Sequence, residues 1–258
     1  MKKIIALLGL IFLLAIVSIF SQALLSRVRR ENFRSDSQLE ENGTDKLTIN
    51  QIRFAAEKIM ENKKILQMVP LISPTGEVKA YEIVFSRKDY LNYVDFAPYV
   101  VNFDQFSRLA NKQSVGNREI YELLIKSKIS NLNASIFSDY FYTLVISSHR
   151  NAYPLQFRYK GLPMTYKLKS MAEDKLKAID PKAKITYGQY LYFEIPHVYY
   201  YFETNSKNKY LLFPWDKIIK VKGLKNIKFG EHSSGYNEKA ISRARERWSE
   251  LLQGYEEE

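Results

Sequence analysis

Residues 4–20 form an unbroken apolar run, preceded by Lys2 and Lys3 and followed by Arg27, Arg29 and Arg30. With Ser21–Leu25 the uncharged stretch reaches Leu25. A spanning helix needs about 20 apolar residues. A secretory signal needs a basic start, a shorter apolar core and a small-x-small exit, which Ser21-Gln22-Ala23 supplies. Both readings take the chain to a membrane and keep residues 1–30 out of any globular core. The run continues past the possible cut as Ala23-Leu24-Leu25, which favours an uncleaved signal anchor over secretion after cleavage near Ala23. Two Lys and the amino terminus face three Arg across the run, so the positive-inside rule alone does not orient it. The leading Lys-Lys is an export start, and it places the bulk of the chain outside the cytoplasm. The expected location is a bacterial cell membrane, crossed once.

Cys is absent. That excludes disulfides, a thiol nucleophile, thiolate metal sites and a lipid on an N-terminal Cys. The net charge is +11. Residues 1–30 carry five basic residues and no acid, which leaves 34 basic against 28 acidic residues, or +6, for the rest. Residues 157–228 hold 15 basic and 6 acidic residues, or +9. A basic patch can attract nucleic acid or an anionic surface. These lysines, however, stand singly between apolar residues, as in Lys182-Ala183-Lys184 and Lys220-Val221-Lys222, which reads as the solvent side of strands. That pattern and the export start argue against a nucleic-acid partner.

The chain divides at changes of composition. After the signal anchor or signal peptide of 1–30, residues 31–46 are polar and acidic, a flexible tether. Residues 47–229 hold enough apolar and aromatic material for an α+β extracytoplasmic domain, with a helical insertion at about 86–139. Residues 230–258 read as a linker, a C-terminal helix over Asn237–Gln253 and an acidic tail. No internal repeat is visible. Thr48-Ile49-Asn50-Gln51 has capping-box spacing ahead of Ile52, Ala55, Ala56 and Ile59. Leu66–Ile72 and Val78–Phe85 flank Ser73-Pro74-Thr75-Gly76, a hairpin turn by residue chemistry. In the second strand Val78, Ala80 and Glu82 share one side, with Tyr81 and Ile83 on the other. Strands are expected at Phe141–Ile146, Leu155–Tyr159, Lys184–Glu194, His197–Glu203 and Lys209–Phe213. Helices are expected at Asn117–Ile129 and Met171–Ile179. In the C-terminal helix Ala240, Ile241, Ala244, Trp248, Leu251 and Leu252 form a stripe that docks on its own domain.

Catalytic signals are thin. Ser147-Ser148-His149 lacks the Gly-framed turn of a hydrolase serine and reads as a strand end and polar turn. His197 and His232 stand alone. Asp95, Asp104, Asp139, Glu194 and Asp216 have no spacing that implies a paired site. No clustered metal ligands and no phosphate-binding Gly loop are present, so no cofactor is expected and the chain does not read as an enzyme. The tyrosines are more informative. Tyr199, Tyr200 and Tyr201 are consecutive in one strand and cannot all face one side, so at least one is expected exposed or edge-on. These three are the candidate partner-binding residues.

Val69-Pro70-Leu71, Gly76 and Ala80-Tyr81, set within residues 64–85, resemble the opening of bacterial propeptide-like domains associated with streptopain-type, papain-like cysteine peptidases. Further matches in order are the strand Tyr142–Ser148, then Pro154-Leu155-Gln156-Phe157, Gly161, the helix Ala172–Ala178 and Tyr187-Gly188-Gln189-Tyr190. The resemblance covers about 64–85 and 140–195, under a third of the chain. It implies a cystatin-like fold, one helix on a curved antiparallel sheet, and a role in binding or restraining a papain-like peptidase. Two departures matter. Ser86–Asp139 intervenes where such domains have a short connection, and no peptidase domain or Cys is present. The expectation is a free-standing, membrane-tethered binding module. Its rival is a single-span envelope protein that scaffolds a secretion or cell-wall complex.

Overall fold

The computed structural model describes residues 45–61, 63–101, 115–194, 197–227 and 238–256. The expected anchor, the tether up to residue 44, part of the insertion and the 230–235 linker lie outside the described residues. Among the described residues no helix is long and apolar enough to cross a membrane.

The chain is α+β. Among the described residues eight strands form one sheet in the order β4-β3-β2-β1-β5-β6-β7-β8. They are β1 (Ile65–Ile72), β2 (Val78–Ser86), β3 (Phe141–Ser147), β4 (Leu155–Lys160), β5 (Ile185–Glu194), β6 (His197–Thr204), β7 (Lys209–Leu212) and β8 (Ile218–Lys220). Every neighbouring pair is antiparallel except β1 and β5, which run parallel and meet at Ile72 and Leu191. Among the described residues the helices are α1 (Ile49–Ile59), α2 (Asn117–Lys126), α3 (Ser135–Tyr140), α4 (Met164–Ile179) and α5 (Glu238–Leu252), with 3-10 turns at Tyr93–Tyr99 and Leu224–Asn226.

Two copies of one plan are joined here. The series α1, β1, β2, β3, β4 is a helix followed by a four-stranded meander, and α4, β5, β6, β7, β8 is another. The two meanders abut through their first strands. Those strands are parallel and the helices cover opposite faces, the arrangement of a two-fold axis in the sheet plane along the strands. Ile52, Ala55 and Ala56 of α1 pack with Tyr81, Ile83, Phe85, Leu144 and Ile146. Leu168, Ala172 and Leu176 of α4 pack on the other face, with Ala80, Val145, Tyr200 and Phe202. The alternation of Ala80 against Tyr81 and Ile83 thus selects two separate cores. No repeat is legible in the sequence because an apolar stripe and alternating strands constrain residue class and not identity.

The seam between the halves explains a proline. Pro70 sits in β1, an interior strand, where a missing N–H normally breaks a ladder. β1 bonds along its length only to β2, with Pro70 opposite Tyr81, and meets β5 only at its last residue. The position of Pro70 therefore needs no donor toward β5.

Local signals hold well. Thr48 accepts from the Gln51 amide at 3.2 Å and the Gln51 side chain accepts from the Thr48 amide at 3.0 Å, a complete capping box. The helix expected at Met171–Ile179 is longer, starting at Met164 behind Pro163. Proline fits a helix start, where an amide would be unbonded in any case. β8 has only three residues and gives too short a pattern to be expected from sequence. The insertion carries the third core, where Phe96, Ile120, Tyr121, Leu124 and Phe137 cover Leu66, Val84 and Phe141 of the first meander. It lies between β2 and β3. The equivalent β6–β7 connection is the tight turn at 205–208.

Candidate functional site

Tyr199, Tyr200 and Tyr201 alternate across the sheet as a strand requires. Tyr200 faces α4, its ring centroid 4.9 Å from Tyr190 and 5.6 Å from Phe202. It lies over Gly188, where a Cβ would stand 2.0 Å from the Tyr200 hydroxyl oxygen. Glycine is therefore required there by close approach and not by its own torsions. Burial pushes the Tyr200 phenol up to about 12. Tyr199 and Tyr201 face the other way, and the Tyr201 hydroxyl donates to Glu203. Of the two outcomes expected for at least one of the three, exposed or edge-on, exposure is not found, since they are 7%, 4% and 1% exposed. Strands on both sides and aromatic neighbours on both faces cover them.

Exposed aromatic surface lies next door. Trp215, in the β7–β8 turn, is 55% exposed. Its ring rests 5.0 Å from Phe213, 5.7 Å from His197 and 6.1 Å from Tyr199. Tyr199 therefore supports the exposed residue instead of presenting itself. The signal in the sequence was Phe213-Pro214-Trp215-Asp216, an aromatic turn whose meaning depended on recognising β8.

A second surface is on the insertion. Seven large apolar side chains are exposed among the described residues, and Tyr90, Val94 and Val101 fall within twelve residues of chain. Their backbone is well held. The Asn117 side chain accepts from the Leu91 amide at 2.7 Å and donates to the Asp89 carbonyl at 2.8 Å. Asn92 caps the 3-10 turn, and buried Phe96 beneath it meets Tyr140 at 5.1 Å and Phe141 at 5.8 Å. The segment is thus an ordered platform with its apolar side chains turned outward. Sequence reading identified the insertion as an anomaly without locating this surface.

Glu82, fully buried in the middle of β2, holds a dense set of hydrogen bonds. Helix α4 starts at Pro163, which offers no side-chain cap. Glu82 supplies one across the chain, accepting from the Met164 amide at 2.8 Å, the Thr165 amide at 3.0 Å, the Thr165 hydroxyl and the Tyr159 hydroxyl. Burial pushes this carboxyl above its ordinary value, against the downward pull of the four donors. Its contacts are filled by the protein itself, which is the signature of a structural knot.

The remaining candidates are not brought together. Ser147 bonds the backbone of His149 and Ser148 bonds the Val78 carbonyl, so neither hydroxyl meets the imidazole. His149 Nε2 lies 2.9 Å from Glu77 Oε1. Asp95 accepts from Tyr140, Asp216 pairs with Lys175 at 2.7 Å, and Asp139 is exposed. Asp104, His232 and the Glu194 side chain lie outside the described residues. Among the described residues no group of three or more His, Cys, Asp or Glu could hold a metal ion. Lys182, Lys184, Lys220 and Lys222 are all exposed, as solvated positions.

His149 carries a pH signature. Burial lowers its pKa, outweighing the attraction of Glu77. A histidine held below its unfolded value resists protonation in the fold. Its contribution to stability is present above about pH 6.5, the unfolded value, and is lost as pH falls through the depressed folded value. Thermal unfolding from pH 8 to 5 should show a drop that His149→Gln reduces. An unchanged slope in the variant would remove His149 as the source.

Comparison with known proteins finds no matching family model, no matching curated protein and no matching solved structure.

Proposed function

We propose that the chain is a membrane-tethered, extracytoplasmic protein-binding module that restrains a papain-like peptidase. The observation that carries binding is the insertion platform, where Tyr90, Val94 and Val101 are turned to solvent at 87%, 53% and 60% on a backbone fixed from beneath. Exposed apolar side chains on an ordered frame are the composition of a recognition surface. The peptidase class rests on the resemblance of 64–85 and 140–195. The helix-on-meander plan is compatible with the cystatin-like arrangement that this resemblance implies, and here it occurs twice. A restraining module needs no nucleophile, in keeping with the absence of Cys.

The test is affinity capture from an envelope extract, with the full chain in detergent as bait and Tyr90→Ser/Val94→Ser/Val101→Ser as its control. A papain-like peptidase should be retained in stoichiometric amount and lose activity. The triple variant should bind about tenfold or more weakly, the loss of roughly one hot-spot side chain. Retention of secretion or cell-wall machinery without a peptidase would replace restraint by scaffolding. Equal retention by the triple variant would remove the platform as the binding surface.

A further inference from the structure

The meanders put four chain connections at one end of the sheet. β1 and β5 run parallel, and every other pair is antiparallel. The β1–β2 turn at 73–77, the β3–β4 turn at 148–154, the start of β6 and the β7–β8 turn at 213–217 therefore share that end. The folded unit is also entered there. Lys46 bridges His149, and Asp45 is held by Arg245 at 3.0 Å and by Asn151 at 2.7 Å. Nineteen residues separate Asp45 from Leu25, the end of the apolar stretch.

The same end carries Trp215 and Tyr153, 55% and 51% exposed, on two different turns, with His197 exposed on a third. Trp and Tyr pair an apolar ring with a polar atom and favour the membrane–water boundary. The charges fit that boundary too. The carboxylates of these turns and of the entry point each have a basic partner: Asp45 has Arg245, Glu77 has Lys79 at 2.5 Å, and Asp216 has Lys175. Lys46 and Lys217 are exposed among them, as suits anionic headgroups. The insertion platform follows the far end of β2, where Ser86 pairs with Phe141. It is thus presented at the opposite end.

We infer that the turn end of the sheet rests on the bilayer interface, with Trp215 and Tyr153 as contact residues, and that the module stands with its insertion platform away from the membrane. This inference rests on the proposed tether. Its test uses the chain's two tryptophans, because Trp248 is fully buried and Trp215 is exposed. The full chain is reconstituted into vesicles of zwitterionic and anionic phospholipid, with and without bromine near the top of the acyl chains, and compared with Trp215→Phe. Bromine should quench most of the Trp215 emission, taken as wild type minus variant, and leave the Trp248 emission of the variant unchanged. In a second variant, Tyr153→Trp with Trp215→Phe, the new indole should be quenched as well. Co-flotation with vesicles but unquenched Trp215 would overturn the bilayer contact and leave the tether standing. Failure to float would overturn the tether and the contact together.

Discussion

Replacing Trp248 by Ala should lower the unfolding free energy by about 3–5 kcal/mol, the range for truncating a buried large aromatic. Trp248 is fully buried where α5 meets α1 and the outer face of β2 and β3. Its indole N–H also donates to the His149 carbonyl at 3.2 Å and the Ala152 carbonyl at 3.0 Å. Truncation therefore opens a cavity and removes the donor from two carbonyls of the β3–β4 turn. The expected fall in melting temperature is roughly 6–20 °C at about 2–4 °C per kcal/mol for a domain of this size. Trp248→Phe should recover most of the packing but not the hydrogen bonds, and should fall between the two. Thermal unfolding by circular dichroism decides it. A loss under about 1 kcal/mol for the Ala variant, within the range of ordinary surface substitutions, would mean that α5 does not seal this core.

Glu82→Ala should cost about 2–4 kcal/mol. It leaves the Thr165 amide at the start of α4, and the Tyr159 and Thr165 hydroxyls, without their acceptor, while the Met164 amide keeps the Tyr159 hydroxyl oxygen at 2.5 Å, and a buried donor without a partner costs about 1–3 kcal/mol before any cavity is counted. The pH dependence adds a sharper signature. Burial holds the folded carboxyl above its unfolded value, so the group's contribution is full below about pH 4.5 and shrinks as pH rises through the folded value. The difference between wild type and variant should therefore be larger at about pH 4 than at about pH 8. His149 titrates in both proteins and cancels from that difference. Equal differences at both pH values would show that the four donors hold Glu82 ionised at its ordinary pKa.

These two residues show where sequence reading succeeds and where it stops. Trp248 was legible, since an apolar stripe on a terminal helix is local information, and the stripe docks on the chain's own core. Glu82 was legible only as a member of one strand side with Ala80. Its role depends on Pro163, eighty-one positions later, which starts a helix without a side-chain cap. The tyrosine row was legible as alternating, but its exposure was not. Burial of Tyr199, Tyr200 and Tyr201 depends on β5, β7 and the Phe213–Trp215 turn folding around them. The platform of Tyr90, Val94 and Val101 could not be located in advance, because apolar residues in an insertion look the same whether they enter a core or face solvent.

The sequence by itself determined the α+β class, the capping box of α1, most strands and helices among the described residues, and the absence of thiol chemistry. All of these are set by local periodicity, turn chemistry or composition. Only the tertiary structure decided that two helix–meander units share one sheet, back to back. It also decided that Glu82 closes α4 and that Trp215 is exposed where the neighbouring row Tyr199–Tyr201 is buried. Each depends on which distant segments meet, and residue spacing along the chain carries no record of that.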